Sequence, residues 1–267
     1  MPHPEILQHK DGVLTERIRT GEGTAIRKTF ETPEYAREIT NYHLLSRLNV
    51  PTLQVLSHTE NSITLEDIAA STHWRLGTAD DLTSPKTATA IARWYKKLHE
   101  YGRGEATEDM YDESNLFTRE NIKFLPEFTK LPHHPVWNVL DSNFDNIRTI
   151  ADRLPKTITY NDFYWTNLAV SKDGREALMF DYNLMGRGYA YADIRNVTVS
   201  LSAEAAAAFL AEYGPTDPLE RAVDDILSPI ITLILASRRD TFPSWAKDSL
   251  QALDDLPDRI DTLQKPQ

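Results

Sequence analysis

Three polar residues in the second half of the chain have types and a spacing that suit phosphate and metal chemistry. Asp162 follows the short strand-like run 157–160, Asn167 comes five residues later, and Asp181 follows an apolar strand-like run, 178–180. Acceptor side chains at the ends of two strands joined by a hairpin can converge on one cation, and Mg²⁺ prefers such oxygen ligands. An aspartate in the loop before them can accept a proton from a hydroxyl nucleophile.

Each of these residues taken singly also fits an ordinary turn, because Asp and Asn favour loops. The same stretch contains two further candidates, Gly188 and Asp193, shortly after Asp181. The joint spacing, rather than any one residue, therefore indicates a site for a divalent cation and phosphate.

The first part of this stretch resembles a known family of enzymes. The aminoglycoside phosphotransferase and choline kinase group of small-molecule kinases, which share the protein-kinase fold, has a catalytic loop that reads H-x-D-x-x-x-x-N. The residues from Tyr160 through Asp162 to Asn167 are similar to that loop, with tyrosine in place of histidine. That position is mostly structural in the kinase fold, so we expect activity to survive the replacement.

The second part resembles the metal-binding segment of the same family. That segment reads roughly I-D-[FW], then Gly, then D-[LI]. The chain matches it in order and spacing with Phe180-Asp181-Tyr182, Gly188 and Asp193-Ile194.

The resemblance implies a role for each of these polar residues. Asp162 is expected to be the catalytic residue that orients and deprotonates a substrate hydroxyl. Asn167 and Asp181 are expected to hold Mg²⁺, which bridges the nucleotide phosphates. Tyr160 and Asp193 are expected to support the loop, Asp193 by hydrogen bonding.

The resemblance extends to a lysine and a glutamate near the N-terminus. Residues 25–28 resemble the strand that carries the nucleotide-binding lysine, so Lys28 is expected to contact the α- and β-phosphates. Glu38 shares the apolar face of the next helix with Tyr42 and Leu45. A buried carboxylate needs a partner, and the resemblance supplies Lys28. A surface lysine and a solvated glutamate are the alternative.

The base-binding segment is matched more loosely. Residues 65–68 resemble the family's hinge, where backbone groups meet the nucleotide base, so Glu66 and Ile68 are expected to bind nucleotide. The resemblance covers about residues 12–197, and the remaining residues are placed by analogy as acceptor-site helices. Residues 10–15 contain one glycine and give no independent evidence for a nucleotide loop.

The elements that must position these residues follow from local patterns. Runs 16–20 and 24–30 flank a turn at residues 21–23 and predict a hairpin. Thr32 as a cap and Pro33 at the first position predict a helix that ends near Leu48, before Pro51. Helical spacing is also found at residues 88–99 and 143–153, and residues 193–263 are expected to be mostly helical.

These elements predict an α+β chain with the bilobal protein-kinase-like fold. Residues 1–68 are expected to form a small nucleotide-binding N-lobe, an antiparallel sheet with one helix. Residues 69–267 are expected to form a larger, mainly helical C-lobe that carries the catalytic and acceptor-binding groups.

The composition of the chain limits the classes of molecule that it is expected to bind. The chain has 267 residues, with 29 Lys and Arg against 40 Asp and Glu, a net charge of −11. Nucleic acid and anionic membranes are therefore poor candidates, whereas a cationic substrate is compatible. The absence of cysteine excludes disulfides and thiolate metal sites. No signal peptide or transmembrane run is recognisable, and we expect a cytoplasmic protein of undetermined oligomeric state.

The predicted function is that of an Mg²⁺-dependent kinase. It would move the γ-phosphate of ATP or GTP to a hydroxyl of a small molecule, such as an aminoglycoside, a choline-like amino alcohol or a sugar. The alternative is a nucleotide-binding pseudokinase or regulatory protein without turnover. A protein kinase is disfavoured, because no A-P-E ending follows Asp181 and Asp193 arrives too soon for an activation segment.

Overall fold

The computed structural model describes residues 3–21 and 23–264. Its strands are β1 (Glu5–Lys10), β2 (Val13–Thr20), β3 (Gly23–Phe30), β4 (Val55–His58), β5 (Ser62–Glu66), β6 (Trp74–Leu76), β7 (Thr157–Thr159), β8 (Leu168–Ser171), β9 (Ala177–Met179) and β10 (Gly186–Gly188). Its α-helices are α1 (Pro33–Arg47), α2 (Pro85–Gly102), α3 (Arg119–Lys123), α4 (Leu125–Phe128), α5 (Val136–Arg153), α6 (Ala190–Thr198), α7 (Ala203–Tyr213), α8 (Pro218–Ala236), α9 (Lys247–Gln251) and α10 (Leu256–Gln264).

The N-terminal part forms an antiparallel sheet in the order β1-β2-β3-β5-β4. The predicted hairpin is the β2–β3 pair, and Glu22 in its turn lies outside the described residues. Strand β1 was not predicted, because all six of its residues are exposed and no buried face imposes an alternating pattern. It joins β2 through Asp11 and Gly12, both with positive φ, which a two-residue hairpin turn requires.

Helix α1 begins and ends where the pattern of its terminal residues predicts. Pro33 occupies the first turn, and the helix ends before Asn49, whose φ of 55° lies in the left-handed region. The predicted role of Thr32 is wrong in one respect. Its backbone is extended, as a cap requires, but its side chain makes no capping hydrogen bond.

The chain forms two compact units. The first comprises the described residues up to Ala106 together with Ile158–Gly186 and Asp193–Pro215. It contains the N-terminal sheet, α1, a second antiparallel sheet in the order β6-β8-β9, and the pair α2 and α7. Every predicted catalytic, nucleotide-binding, metal-binding and loop-supporting residue belongs to this unit, whereas the further candidate Gly188 does not.

The second unit is helical and comprises Thr107–Thr157, Arg187–Ala192 and the described residues from Thr216 on. Its apolar core is built mainly from α5, α8 and α10. Helix α8 is buried along most of its length and keeps Pro229 in its interior. The division predicted at residue 68 groups the residues differently, and it remains a prediction.

An N-terminal antiparallel sheet followed by a mainly helical C-terminal part confirms the predicted α+β class. Among the described residues, no helix combines the length and apolar character that a bilayer crossing requires.

Candidate active site

Lys28 is the charged centre of the predicted site. It lies near the end of β3, and its Nζ donates to both carboxylate oxygens of Glu38, at 2.8 and 2.6 Å. The same nitrogen donates to Oδ1 of Asp181 at 2.9 Å, across 153 residues of sequence. Burial lowers the pKa of Lys28, but the two carboxylates outweigh this and raise it. Lys28 is therefore a cation whose position is fixed by Glu38 and Asp181.

Glu38 is fully buried on α1, 0% exposed, on the face that also carries Tyr42 and Leu45. Burial raises its pKa to about 7, while the charge of Lys28 opposes that shift. The structure thus brings together the lysine and glutamate that the resemblance pairs, and the alternative of a surface lysine and a solvated glutamate is excluded by their burial.

Asp181 lies two residues beyond the end of β9, in a segment that is fastened to α1. Asn41 donates to the carbonyl of Tyr182 at 2.7 Å, and Arg37 donates through Nε to the carbonyl of Asn183 at 2.5 Å. Asp181 itself has a φ of 66°, which a non-glycine residue rarely adopts. Such strain is held by surrounding contacts and is common at functional sites.

Asp162 and Asn167 contact each other directly. The side-chain nitrogen Nδ2 of Asn167 donates to Oδ2 of Asp162 at 3.0 Å. Partial burial raises the pKa of Asp162 to about 6, and the nearby charge of Asp181 adds to this, while Asn167 and Lys28 oppose it. A carboxylate with a pKa close to neutral is well matched to accepting a proton from a hydroxyl.

Asp193 holds the backbone that leads into Asp162. Its two carboxylate oxygens accept from the amides of Tyr160, at 2.7 Å, and Asn161, at 2.8 Å. Asn161 also has a positive φ, 67°, and its side chain donates to the carbonyl of Leu184 at 3.0 Å. The loop therefore enters the site through a backbone bend that a buried carboxylate fixes.

His99 completes this network, a role that the sequence did not reveal. Its ring is 2% exposed, with Nε2 3.1 Å from Asp193 and Nδ1 2.7 Å from the hydroxyl of Tyr213. The two partners lie 94 and 114 residues further along the chain, so no local pattern indicates them.

Tyr160 occupies the position where the family pattern has histidine. It is fully buried, and its hydroxyl donates to the carbonyl of Phe180 at 2.5 Å, next to Asp181. Its ring packs edge-on against Trp94 and Tyr182, with centroids 5.7 and 5.8 Å away. The tyrosine thus links the two motifs through one hydrogen bond and aromatic packing.

Gly77 is a further residue of the site that the sequence did not indicate. Its amide donates to the carbonyl of Leu168 at 2.7 Å. A β-carbon at Gly77 would lie 2.6 Å from the carbonyl oxygen of Trp165, inside the loop between Asp162 and Asn167. Only glycine allows this approach.

Glu66 and Ile68 flank a buried aspartate at the end of β5. The carboxylate of Glu66 accepts from the amide of Gln54 at 2.9 Å, and Ile68 is 6% exposed. Between them, Asp67 accepts from Arg17, Thr24 and the amide of Ala69. The segment is therefore fixed to β2 and β3, and its binding of a base remains a prediction.

Most of the chain matches one known protein family. Residues 6–224 match the family model described as the phosphotransferase enzyme family. The chain belongs to this family. The predicted resemblance to aminoglycoside phosphotransferases and choline kinases is thereby confirmed.

Solved structures with the same fold include kinases of several kinds. Choline kinase LicA from Streptococcus pneumoniae superposes with a TM-score of 0.64 at 14% identity, covering 98% of this chain and 94% of that one. Macrolide 2′-phosphotransferase MphH from Brachybacterium faecium gives a TM-score of 0.61 at 15% identity, with 99% and 92% covered. These likenesses confirm the predicted kinase-like fold. No curated protein matches the sequence significantly.

The donor set of this phosphotransferase suits Mg²⁺. Asp181 is 38% exposed and offers carboxylate oxygens, while Asn167 uses its nitrogen toward Asp162 and keeps its amide oxygen outside that bond. In the described part of the chain, no three His, Asp or Glu side chains are arranged to hold a metal. A magnesium ion held by Asn167 and Asp181 would take its other ligands from phosphate and water.

Proposed function

We propose that this chain is an Mg²⁺-dependent small-molecule kinase that transfers the γ-phosphate of ATP, or of GTP, to a hydroxyl group. The observation that carries the proposal is the contact of one buried lysine with two carboxylates. Lys28 is bound by Glu38, which is fully buried, and by Asp181, which is partly exposed. With Asp162, three acids and one lysine give the site an excess of negative charge, which favours a cation bound with phosphate.

The roles of the residues follow from their surroundings. Lys28, held by Glu38, positions the α- and β-phosphates. Asn167 and Asp181 hold Mg²⁺, which when bound neutralises charge on the transferring phosphoryl group. Asp162 orients the acceptor hydroxyl and takes its proton, and Asn167 fixes the carboxylate of Asp162 through the 3.0 Å hydrogen bond. Catalysis in this account is mainly positioning and electrostatic stabilisation.

The neighbouring structures support this choice of donor and acceptor. One is described as LicA in complex with AMP, and others as an ethanolamine kinase from Plasmodium vivax and a spectinomycin phosphotransferase in complex with ADP. We extend to this chain the shared chemistry, an adenine nucleotide as donor and a small hydroxyl compound as acceptor.

The acceptor is expected to carry an amine or ammonium group. Tyr164 and Trp165 lie between Asp162 and Asn167 in the sequence, and the two residues are 58% and 41% exposed. Exposed aromatic faces beside a carboxylate attract a cation, and the chain itself carries a net charge of −11.

The test is a phosphorylation assay with MgATP and MgGTP against choline, ethanolamine, amino sugars, macrolides and neutral sugars. The wild-type chain should phosphorylate at least one amine-bearing acceptor. Asp162→Asn should lower kcat by about a hundredfold or more, as expected when a general base is removed.

The matched control is Asp80→Asn, which changes an exposed aspartate of the same unit. It should keep the wild-type rate. Transfer by Asp162→Asn at the wild-type rate would refute the assigned base. Nucleotide binding without transfer to any acceptor would favour the pseudokinase reading.

A further inference from the structure

Arg17 lies on the face of the N-terminal sheet that carries Lys28. In the β2–β3 register Thr15 is opposite Lys28, and Arg17 is opposite Ile26. Residues directly opposite each other, and residues two apart on one strand, share a face of the sheet. Arg17 and Ile26 are therefore displaced from Lys28 by two residues along the strands, roughly 7 Å at the usual rise per residue.

That displacement leads from Lys28 toward the segment of Glu66 and Ile68. In the β3–β5 register Lys28 is opposite Ile63, Ile26 is opposite Leu65, and Ala25 is opposite Glu66. The three side chains of Leu65, Ile26 and Arg17 thus form one row across the sheet. This row lies between the lysine and the end of β5.

This inference rests on the proposed function, with the nucleotide phosphates at Lys28, and on the predicted placement of the base at Glu66 and Ile68. A nucleotide placed in this way lies along this face of the sheet and passes the row. Leu65 is 2% exposed and offers little surface to a ligand, whereas Ile26 is partly exposed. Arg17 is the charged member, and its side chain is 29% exposed.

The guanidinium of Arg17 is held by its edge. Its Nε donates to Oδ2 of Asp67 at 2.7 Å, and its Nη1 donates to Oε2 of Glu5 at 2.9 Å. Asp67 is itself fixed by Thr24 at 2.8 Å and by the amide of Ala69 at 3.1 Å. Both bonds to Arg17 lie in the guanidinium plane, because its N–H groups do. They fix the orientation of the plane and use neither of its faces.

We propose that Arg17 is a nucleotide-binding residue whose guanidinium stacks on the base. A planar, delocalised cation stacks well on an aromatic ring, whereas a lysine does not reproduce this geometry. Asp67 and Glu5 are then positioning residues that orient Arg17 for the base.

The experiment compares two ligands that share phosphates and differ in the base. Binding of MgATP and of magnesium tripolyphosphate is measured by calorimetry for the wild type and for Arg17→Met. The variant should bind MgATP about tenfold more weakly, and magnesium tripolyphosphate with less than about a twofold change. Lys28→Met should weaken both ligands.

The matched control is Arg27→Met. Arg27 belongs to the same pair of strands and forms a 2.8 Å ion pair with Glu16, its partner in the register, on the opposite face of the sheet. It should leave the affinity for both ligands unchanged. Arg17→Lys keeps a cation opposite Asp67 and serves if Arg17→Met fails to fold. It too should weaken MgATP selectively.

Two results would overturn the inference alone. One is an Arg17 variant that binds MgATP as well as Arg27→Met does, or better than the wild type. The other is an equal loss of affinity for MgATP and for magnesium tripolyphosphate, which would show that Arg17 contributes only its charge. A wild-type chain that binds neither MgATP nor MgGTP would instead overturn the proposed function, and this inference with it.

Discussion

Each compact unit contains a lysine whose side chain is largely buried and paired with a carboxylate, and the two pairs differ in charge and in exposure. Lys28 in the first unit contacts Glu38 and also the partly exposed Asp181. Lys156 in the second unit contacts Asp112 at 2.6 Å and the hydroxyl of Ser114 at 2.7 Å, with side-chain exposures of 8% for the lysine and 3% for the aspartate.

The Lys156 pair is balanced in charge and closed. Its nitrogen also lies 5.4 Å from the ring centroid of Tyr189. The Lys28 group has an additional negative charge that solvent and ligands can reach. A buried ion pair alone is therefore weak evidence for a site. The surplus carboxylate, Asp181, is the feature on which the proposed binding of a phosphate-bound cation rests.

The largest expected effect separates the two lysines by activity. Lys28→Met should lower kcat/KM for MgATP by about a hundredfold to a thousandfold, because it removes the charge that is proposed to contact phosphate. Lys156→Met should leave kcat per folded molecule unchanged and lower the free energy of unfolding by about 3–5 kcal/mol, since Asp112 stays buried without its cation. Steady-state kinetics and denaturant unfolding measure the two quantities.

Paired replacements sharpen this contrast. Lys28→Met/Glu38→Gln should recover the stability that Lys28→Met loses, without recovering activity. Lys156→Met/Asp112→Asn should recover stability with activity intact. If Lys156→Met also lost its turnover per folded molecule, the two lysines would not differ as described.

The second effect concerns pH and Asp162, whose pKa is influenced by burial and by the charges of Asp181 and Lys28. Burial and the charge of Asp181 raise the pKa of Asp162 to about 6, and the base must be deprotonated to accept a proton. The kcat/KM for MgATP should therefore fall with a slope of at least about one log unit per pH unit below this value. Protonation of Glu38, whose pKa is about 7, should begin to lower it at a higher pH. A profile that stays level down to pH 4.5 in a chain that remains folded would contradict the assignment.

The smallest effect concerns the position of the loop rather than its charges. Gly77→Ala places a β-carbon against the carbonyl oxygen of Trp165, so the loop between Asp162 and Asn167 must move by a few tenths of an ångström or more. We expect kcat to fall about fivefold to tenfold, because catalysis depends steeply on position. Gly21→Ala is the control, since no atom lies within 4 Å of its added β-carbon. Equal rates for the two variants would show that the loop tolerates the displacement.

The sequence predicted the elements whose signals are local. Pro33 and Pro51 bracket α1, and the apolar runs before Asp162 and Asp181 correspond to β7 and β9. The exposed strand β1 lacked any such signal. Residues 10–15, which gave no independent evidence for a nucleotide loop, contain the tight Asp11–Gly12 turn between the paired strands β1 and β2.

The site could be predicted only where a motif carries it. The resemblance to the family picks out the candidate site residues, and their catalytic roles remain predictions. These residues are Lys28, Glu38, Asp162, Asn167 and Asp181. The contacts that fix them were not predictable, because they join distant parts of the chain. Asn41 to Tyr182 and His99 to Asp193 are separated by 141 and 94 residues. A buried asparagine beside Glu38 on α1 was the one available hint, since a polar side chain there needs a partner.

The central claim is that Asp181, beside Lys28, makes this region a site for an Mg²⁺-bound nucleotide. It is tested most directly by the melting temperature with ATP or GTP, each with and without Mg²⁺, for the wild type and for Asp181→Ala. One nucleotide should raise the melting temperature of the wild type in an Mg²⁺-dependent way, and Asp181→Ala should remove this dependence. No shift with either nucleotide, or an equal Mg²⁺-dependent shift in Asp181→Ala, would contradict it.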